Sequence, residues 1–250
     1  MVKGLDRFRT AFADYPDCYL LIGGSACDLN FSVAALPFRV TRDLDLVLCV
    51  EALTPDFFNQ FWRFIQAGGY EHKERSNGKP QFYRFTHPSQ PDYPETLELF
   101  SRRADCLPAP LLHHLTPIPA GEEASSLSAI LLNDDLYAFA MANRSEVDGV
   151  SILSPVGLIA LKAIAWSDLS NRKAAGEGHI DTKNIRKHKN DIARLTLLTA
   201  GQSPEIPANI RAAMRPFLAA YQAEPLDPRA LGLPLSPQEI HNELLRLFGP

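Results

Sequence analysis

The hydrophobic pattern of the first fifty residues alternates between the periods of helices and of strands. Apolar residues recur at helical spacing over 3–14, which predicts an amphipathic helix. An apolar run over 18–22 ends in two glycines and predicts a strand that leads into a tight turn, followed by a short helix over 25–34. Strict alternation of leucine with other residues over 43–48 predicts a second strand.

Further along, the pattern predicts one more helix and several strands. Thr54-Pro55 is typical of an N-cap and first helical residue, and Gly68-Gly69 is expected to end that helix near Ala67. A Pro-rich loop is predicted over 87–94. Strands are predicted over three segments, 81–87, 96–100 and 128–132.

The pattern changes near residue 150, after which helical spacing dominates. A short strand is predicted over 150–153, and a loop over 174–180. Four helices are predicted, over 154–173, 181–200, 207–222 and 237–248, with Asp181 as the N-cap of the second. The predicted organisation is therefore an α/β region over 1–150 joined to a helical region over 151–250.

Composition limits the classes of protein that need consideration. The formal net charge is −4 and 46% of the residues are hydrophobic, as in an ordinary globular protein, so a nucleic-acid binder would need a local basic patch. No apolar run approaches a membrane span, and the N-terminal segment lacks the apolar stretch of a secretory signal. The cysteines are scattered, which favours a reducing cytoplasm: Cys18, Cys27, Cys49 and Cys106.

Two carboxylates on the predicted strand 43–48 are the first candidates for chemistry. Asp43 and Asp45 stand two positions apart, so their side chains share one face of the strand. Like charges held together favour a cation between them, and Mg²⁺ binds carboxylate oxygens together with substrate phosphates. The alternative is a solvent-facing polar edge of a half-buried strand.

Upstream, Gly23-Gly24-Ser25 joins a predicted strand to a predicted helix. Such a turn can present backbone N–H groups to a phosphate, and the helix N-terminus adds favourable potential. A Gly-Gly pair alone is more often a plain turn. The combination with the alternating Asp43-Leu44-Asp45 segment downstream is much more specific.

A third acid is expected on the predicted strand 96–100. Glu98 lies between two leucines and is the candidate to ligate a second metal ion or to accept the proton of an attacking hydroxyl. Glu95 competes for this role at the start of the strand, and an ordinary surface glutamate is the alternative for either.

Candidate cations lie in the helical region. Lys162 interrupts an apolar run, so it either reaches water with its amine or meets an anion such as a triphosphate. The segment 183–194 concentrates basic residues, which alone is typical of a solvated helix face. Within it, His188 has the spacing of a core residue, and Lys187 and Asp191 have the spacing of a surface ion pair.

Together these residues resemble the DNA polymerase β-type nucleotidyltransferase superfamily. More narrowly, they are similar to the AbiEii/AbiGii toxin-like nucleotidyltransferases of bacteria. The stretches that carry the resemblance are 21–26 (LIGGSA), 39–45 (RVTRDLD), 153–163 (LSPVGLIALKA) and 185–192 (IRKHKNDI), with further matches over 168–181.

The resemblance implies an α+β nucleotidyltransferase fold, a mixed twisted sheet flanked by helices, whose helical C-terminal part completes the nucleotide cleft. It implies Mg²⁺ on Asp43 and Asp45, with a two-metal site only when nucleotide is bound. It also implies nucleotide contacts from a larger set: Gly23, Gly24, Ser25, Arg39, Thr41, Lys162, Lys189 and Asp191.

The expected function is transfer of a nucleoside monophosphate from an NTP to an acceptor hydroxyl. The acceptor expected from the resemblance is RNA such as tRNA, in a toxin–antitoxin or phage-defence role with a cognate antitoxin protein as partner. Two alternatives stay open: a small-molecule, antibiotic-like acceptor, or a nucleotide-binding module without catalysis. A cytoplasmic protein without membrane contact is expected in each case.

Overall fold

The computed structural model describes residues 2–49, 51–71, 82–100, 134–177 and 180–249. Within these ranges the chain forms six strands, namely β1 (Tyr19–Ile22), β2 (Asp43–Leu48), β3 (Phe82–Thr86), β4 (Thr96–Phe100), β5 (Arg144–Val147) and β6 (Val150–Leu153). It also forms eight α-helices, namely α1 (Leu5–Ala11), α2 (Gly23–Val33), α3 (Pro55–Gly68), α4 (Asp134–Ala142), α5 (Pro155–Ala174), α6 (Thr182–Leu195), α7 (Ala208–Ala223) and α8 (Pro237–Phe248).

The strands form one mixed sheet in the order β3-β4-β2-β1-β6-β5. Two strand pairs, β2–β4 and β1–β6, are parallel, whereas the pairs β1–β2, β3–β4 and β5–β6 are antiparallel. Strand β6, whose first residue is Val150, pairs with β1 near the middle of the sheet. The sheet formed by the first half of the chain is therefore complete only with β6. The predicted mixed sheet flanked by helices is confirmed.

An aromatic cluster packs α1 and α3 against the sheet. Phe12 is fully buried, and its ring lies 5.4 Å from that of Phe64 and 6.3 Å from that of Tyr19, measured between ring centroids. Aromatic pairs at such distances add to the stability that their buried area provides. This core holds the strands that carry the candidate carboxylates.

Helix α5 is the centre of the helical region. It packs against α2, α6 and α7, and most of its residues over the first three turns are buried. A helix that is apolar almost all round belongs in the interior. Two polar side chains of this helix, those of Lys162 and Ser167, are therefore placed inside the molecule.

Four of the five helices predicted after residue 50 begin at a side-chain cap, whereas the helix predicted over 207–222 begins at Ala208 without one. Thr54, Ser154 and Asp181 each accept a hydrogen bond from a backbone N–H of the first turn, and Ser236 forms a complete capping box with Glu239. Gly69 ends α3 with φ 61°, a left-handed conformation that suits glycine. These side-chain and glycine signals are local, so the sequence predicted them correctly.

Some elements differ from the prediction. Helix α6 ends at Leu195 rather than near residue 200, because the chain tightens into a 3₁₀ turn in which the hydroxyl of Thr196 donates to the carbonyl of Ala193. Helix α4 and strand β5 had no prediction. The hairpin β5–β6 turns at Asp148-Gly149, both with positive φ, and an Asp-Gly pair is the signal that indicates such a turn. The strand predicted over 128–132 lies outside the described residues.

None of the helices in the described ranges is long and apolar enough to cross a membrane. Cys18, Cys27 and Cys49 are buried and form no disulfide, while Cys106 lies outside the described residues.

Candidate active site

The two aspartates predicted on β2 lie at the edge of the site, close to the turn that follows β1. In the β1–β2 ladder Asp45 is opposite Ile22, the last residue before Gly23. Gly23 has φ 67°, and a Cβ built on it would overlap the carboxylate of Asp45. Glycine at this position therefore gives the carboxylate its space as well as permitting the left-handed backbone.

Gly24 provides a second close approach at the start of α2. A Cβ on Gly24 would lie 2.8 Å from the hydroxyl of Thr41 and 3.3 Å from a guanidinium nitrogen of Arg39. Side chains of the 39–41 segment thus reach across the helix N-terminus. No side chain of the N-cap residue, Ile22, caps this end. The N-terminal N–H groups of α2 therefore lie beside Asp45, Thr41 and Arg39, where a phosphate would meet them.

Ser25 has a different position from the one that the resemblance implied. Its side chain is fully buried, and its hydroxyl donates to the backbone carbonyl of Asp43. The serine therefore ties the start of α2 to the start of β2. This hydrogen bond fixes the position of Asp43 relative to the glycine turn. The hydroxyl proton of Ser25 is engaged in it and is not available to donate to a phosphate.

Glu98 lies on β4 between two charged neighbours. The β2–β4 register places it opposite Asp45, and the β3–β4 register places it opposite Arg84, whose guanidinium is 2.5 Å from its carboxylate. Burial and the charges of Asp45 and Asp43 raise the pKa of Glu98 to about 8, although Arg84 opposes the shift. Three carboxylates thus lie together on neighbouring strands.

A polar cavity of about 410 Å³ opens beside Asp43 and Asp45. Its other lining residues are Gly24, Arg39, Val40, Thr41, Arg42, Glu95 and Lys187. Glu95, the alternative third acid, is held at the rim 3.3 Å from Arg42 and 3.5 Å from Lys3. Glu98 stands beside Asp45 on the neighbouring strand and is not among the residues that line the cavity. The two glutamates therefore differ in position: Glu98 is next to the aspartates, and Glu95 faces the cavity.

Asp191 is the centre of a buried ion cluster next to this cavity. Its side chain accepts from Lys162 Nζ at 2.9 Å and from the Nε and Nη2 atoms of Arg39 at 3.1 and 3.0 Å. Burial alone would raise the pKa of Asp191, but Lys162 and Arg39 lower it well below its usual range. Burial likewise opposes the charge of Lys162, yet Asp191 keeps its pKa above the usual value.

This cluster connects the two regions of the chain. Lys162 is only 6% exposed, so its amine is inside the protein and does not reach water. Arg39 is the member that also lines the cavity. Lys162 and Asp191 therefore act on the cavity through Arg39, whose guanidinium they hold beside Gly24.

Lys187 is a residue of the site for which the sequence analysis had a different interpretation. The predicted surface ion pair between Lys187 and Asp191 is wrong, because Asp191 is buried against two other cations. Lys187 lines the cavity and forms no ion pair with any described residue. The sequence did contain one signal for the position of Lys187. It stands four residues before Asp191, and this spacing places both residues on one face of α6.

Lys189, which the resemblance implied at the nucleotide, lies elsewhere. Its amine donates to the backbone carbonyl of Glu224 and lies 5.6 Å from the centre of the Tyr221 ring. Lys189 lines a second cavity and not the one beside Asp43 and Asp45. On α6, therefore, Lys187 is the cation that faces the carboxylates.

His188 is half-buried beside the ion cluster, where its helical spacing predicted a core residue. Burial, with the charges of Lys162, Lys187 and Arg39, lowers the pKa of His188 to about 3, against the opposing effect of Asp191. The imidazole is therefore neutral at physiological pH. Its Nδ1 atom is buried without a hydrogen-bond partner among the described residues.

The donor set at the cavity suits a divalent cation that arrives with its substrate. No three His, Cys, Asp or Glu side chains in the described ranges are arranged to hold an ion by themselves. Asp43 and Asp45 supply two carboxylates next to three cationic side chains, and Mg²⁺ commonly takes one or two carboxylates and completes its coordination with phosphates and water. The arrangement thus fits Mg²⁺ bound together with a nucleoside triphosphate.

Comparison with known proteins gave matches among solved structures. A structure of Cid1 in complex with its short product ApU and a structure of a cytoplasmic RNA terminal U-transferase each match at 13% identity, with a TM-score of 0.30. The match covers 90% of this chain but 66% of each of those chains, just under two thirds of their length.

No family model matches the sequence, and no curated protein matches it. Membership of the AbiEii/AbiGii toxin-like family therefore stays a prediction. The function proposed below rests on the geometry of the site.

Proposed function

We propose that this chain is a Mg²⁺-dependent nucleotidyltransferase that transfers a nucleoside monophosphate from an NTP to a hydroxyl of an RNA acceptor. The observation that carries the proposal is the cavity in which Asp43 and Asp45 face Arg39 and Lys187 at the open N-terminus of α2. Two carboxylates held close together favour a cation between them, and Arg39 and Lys187 supply positive charge for phosphates in the same cavity.

Each residue has a distinct proposed role. Asp43 and Asp45 hold the cation, which when bound would stabilise charge on the attacking and leaving oxygens. The N–H groups of Gly24 and the start of α2, with Arg39, Thr41 and Lys187, bind the triphosphate. Lys162 and Asp191 position Arg39 and do not touch the substrate.

The transfer itself makes one bond and breaks one. The acceptor oxygen attacks the α-phosphorus, the bond from that phosphorus to the α–β bridging oxygen breaks, and pyrophosphate leaves with the bonding electrons. The hydroxyl proton passes to a carboxylate. The two candidates for this role are Glu98, which stands next to Asp45 on the neighbouring strand, and Glu95, which lines the cavity.

We infer the acceptor class from the cations of α6, because the three cations and three carboxylates that line the cavity balance one another. Lys183, Arg186 and Lys187 are exposed along this helix and form no ion pair with a described residue. These cations favour a polyanionic acceptor over a cationic, antibiotic-like molecule. A cytoplasmic toxin role with a cognate antitoxin stays a prediction of the resemblance.

The decisive experiment uses labelled NTPs and total cellular RNA, with and without Mg²⁺. Labelled RNA that appears only with Mg²⁺ is the expected result, and it is lost in Asp43→Ala/Asp45→Ala. The matched control is Asp14→Ala/Asp56→Ala, which removes the same charge from exposed positions away from the cavity. Full transfer by the first variant would disprove the proposal, and NTP binding without transfer to any acceptor would favour the module without catalysis.

A further inference from the structure

A second cavity, of about 580 Å³, lies on another face of α6. One wall is the stripe of α6 that contains Ile185, Arg186 and Asn190, and Trp166 of α5 contributes to the same cavity. The other wall is the segment 224–231, which follows α7. We refer to this cavity as the α6 groove.

The charges that line the α6 groove balance one another. Arg186 and Lys189 contribute two cations, and Glu224 and Asp227 contribute two carboxylates. The amine of Lys189 is already engaged by the carbonyl of Glu224. Apart from the neutral polar residues Thr182 and Asn190, the remaining lining is apolar or aromatic. A groove of this kind suits a flat, neutral, hydrogen-bonding group such as a nucleobase better than it suits a phosphate, which needs an excess of cations.

Trp166 gives the groove an aromatic surface. The rings of Trp166 and Phe217 lie 5.2 Å apart in a T-shaped arrangement, and the Trp166 side chain also lines the groove. Its indole N–H has no hydrogen-bond partner among the described residues, although Trp usually finds one when buried. Stacking on an aromatic side chain is the common way in which proteins bind unpaired bases.

The α6 groove and the carboxylate cavity share one helix. Arg186 lines the first and its neighbour Lys187 lines the second. Neither forms an ion pair with a described residue, so both are available to phosphates at the crest of α6 between the two cavities. A chain of nucleotides could therefore cross this crest with its backbone on the two cations.

We propose that the α6 groove binds a base of the single-stranded 3′ end of the acceptor RNA, while the terminal hydroxyl lies in the carboxylate cavity. This inference rests on the proposed function and deepens it by naming where the acceptor docks. Trp166 stacks on the base, the carboxylates of the segment 224–231 accept from its amino groups, and Arg186 binds the phosphate that precedes the crest.

Trp166 itself provides a direct signal of binding. The chain has two tryptophans, so Trp62→Phe on α3 leaves Trp166 as the one fluorescent tryptophan. Titration of this variant with oligoadenylate is expected to quench its fluorescence. Oligoadenylate that binds, as measured by anisotropy, without changing the fluorescence of Trp166 would place the acceptor elsewhere and overturn the proposal.

A second test fills the α6 groove without changing any charge. Ala230→Trp puts a bulky side chain on an exposed lining residue, and Ala219→Trp adds the same bulk to an exposed position of α7 that lines neither cavity. Oligoadenylate binding is expected to weaken about tenfold or more in Ala230→Trp, the effect of losing one stacked base, and to be unchanged in Ala219→Trp. Equal binding by the two variants would overturn the proposal.

Binding of a Mg²⁺-NTP separates this inference from the proposed function. Ala230→Trp is expected to bind it as the unchanged protein does, because the NTP lies in the other cavity. If Ala230→Trp loses NTP binding, the groove holds the donor base and the inference is wrong, although nucleotidyl transfer stands. If the unchanged protein binds oligoadenylate at the α6 groove but binds no NTP, the proposed function is wrong. The assignment of the α6 groove as an RNA-binding site would then still stand.

Discussion

Aspartate is used in two opposite ways in this molecule, on β2 and on α6. Asp43 and Asp45 line an open cavity, where Gly23 leaves room for the carboxylate of Asp45. Asp191 is fully buried and has both Arg39 and Lys162 as partners. The first pair can be reached by a ligand, whereas the second arrangement is closed and already contains more positive than negative charge.

The difference shows which carboxylates can serve a ligand. A satisfied, buried carboxylate contributes to folding and to the position of its partners, because its loss leaves two cations without a counter-ion. Carboxylates that line an open cavity can instead be reached by a metal or a substrate. Substitutions should therefore affect stability on α6 and activity on β2.

The largest effect is expected for Asp191→Ala. Removing one partner of a buried ion pair costs about 3–5 kcal/mol, because Lys162 would keep a buried charge without compensation. Urea unfolding followed by circular dichroism measures the change. Asp43→Ala is the matched variant because its side chain is exposed, and its free energy of unfolding is expected to lie within about 0.5 kcal/mol of the unchanged protein. Equal destabilisation by both substitutions would remove the distinction between the two regions.

The ion cluster also predicts an acid-sensitive fold through His188. Its pKa is about 3 in the folded protein and near its ordinary value of 6.5 when unfolded. The unfolded chain therefore binds the proton first, so stability is complete above about pH 6.5 and falls as the pH drops toward 3. The loss between pH 6.5 and 4.5 is expected to be about 2–3 kcal/mol.

Urea unfolding across this pH range tests the prediction. His188→Leu is expected to flatten the dependence between pH 6.5 and 4.5, whereas His87→Gln, on an exposed loop, is expected to keep it. The contribution of Asp191 lies in a separate window, since its lowered pKa confines the loss to pH values below about 4. An unchanged slope in His188→Leu would mean that another group controls acid sensitivity.

A smaller effect on stability, but a specific one on the site, is expected for Gly23→Ala. Both Gly23→Ala and Gly149→Ala place alanine at a positive φ, 67° and 77°, which costs about 1–2 kcal/mol in each case. Only the first also displaces the carboxylate of Asp45, because a Cβ on Gly149 would meet nothing within 4 Å. Mg²⁺-NTP binding, measured by calorimetry, should weaken in Gly23→Ala alone. A similar loss in Gly149→Ala would assign the effect to general instability.

The sequence predicted well what local patterns determine. Alternation over 43–48, the caps at Thr54 and Asp181 and the glycines at 68–69 each act within a few residues, and the structure confirms the elements that they predict. Charge partners act across the fold. The spacing of Lys187 and Asp191 indicated a surface pair, whereas Asp191 is paired with Arg39, 152 residues away in sequence. Such pairing depends on how α6 packs against the segment before β2, which periodicity does not contain.

The smallest effect is expected for Lys187→Ala, and it bears directly on which cation of α6 serves the carboxylate cavity. Loss of one charge-assisted hydrogen bond to a phosphate should weaken Mg²⁺-NTP binding about tenfold. Lys183→Ala removes the same charge from an exposed position on the same helix that lines neither cavity, so it is expected to change NTP binding less. Because Lys187 forms no ion pair in the part of the chain that the structure describes, its substitution should leave the free energy of unfolding unchanged. Calorimetric titration with an NTP in Mg²⁺ distinguishes the variants, and equal binding by both would mean that α6 contributes only diffuse positive charge while Arg39 alone holds the triphosphate.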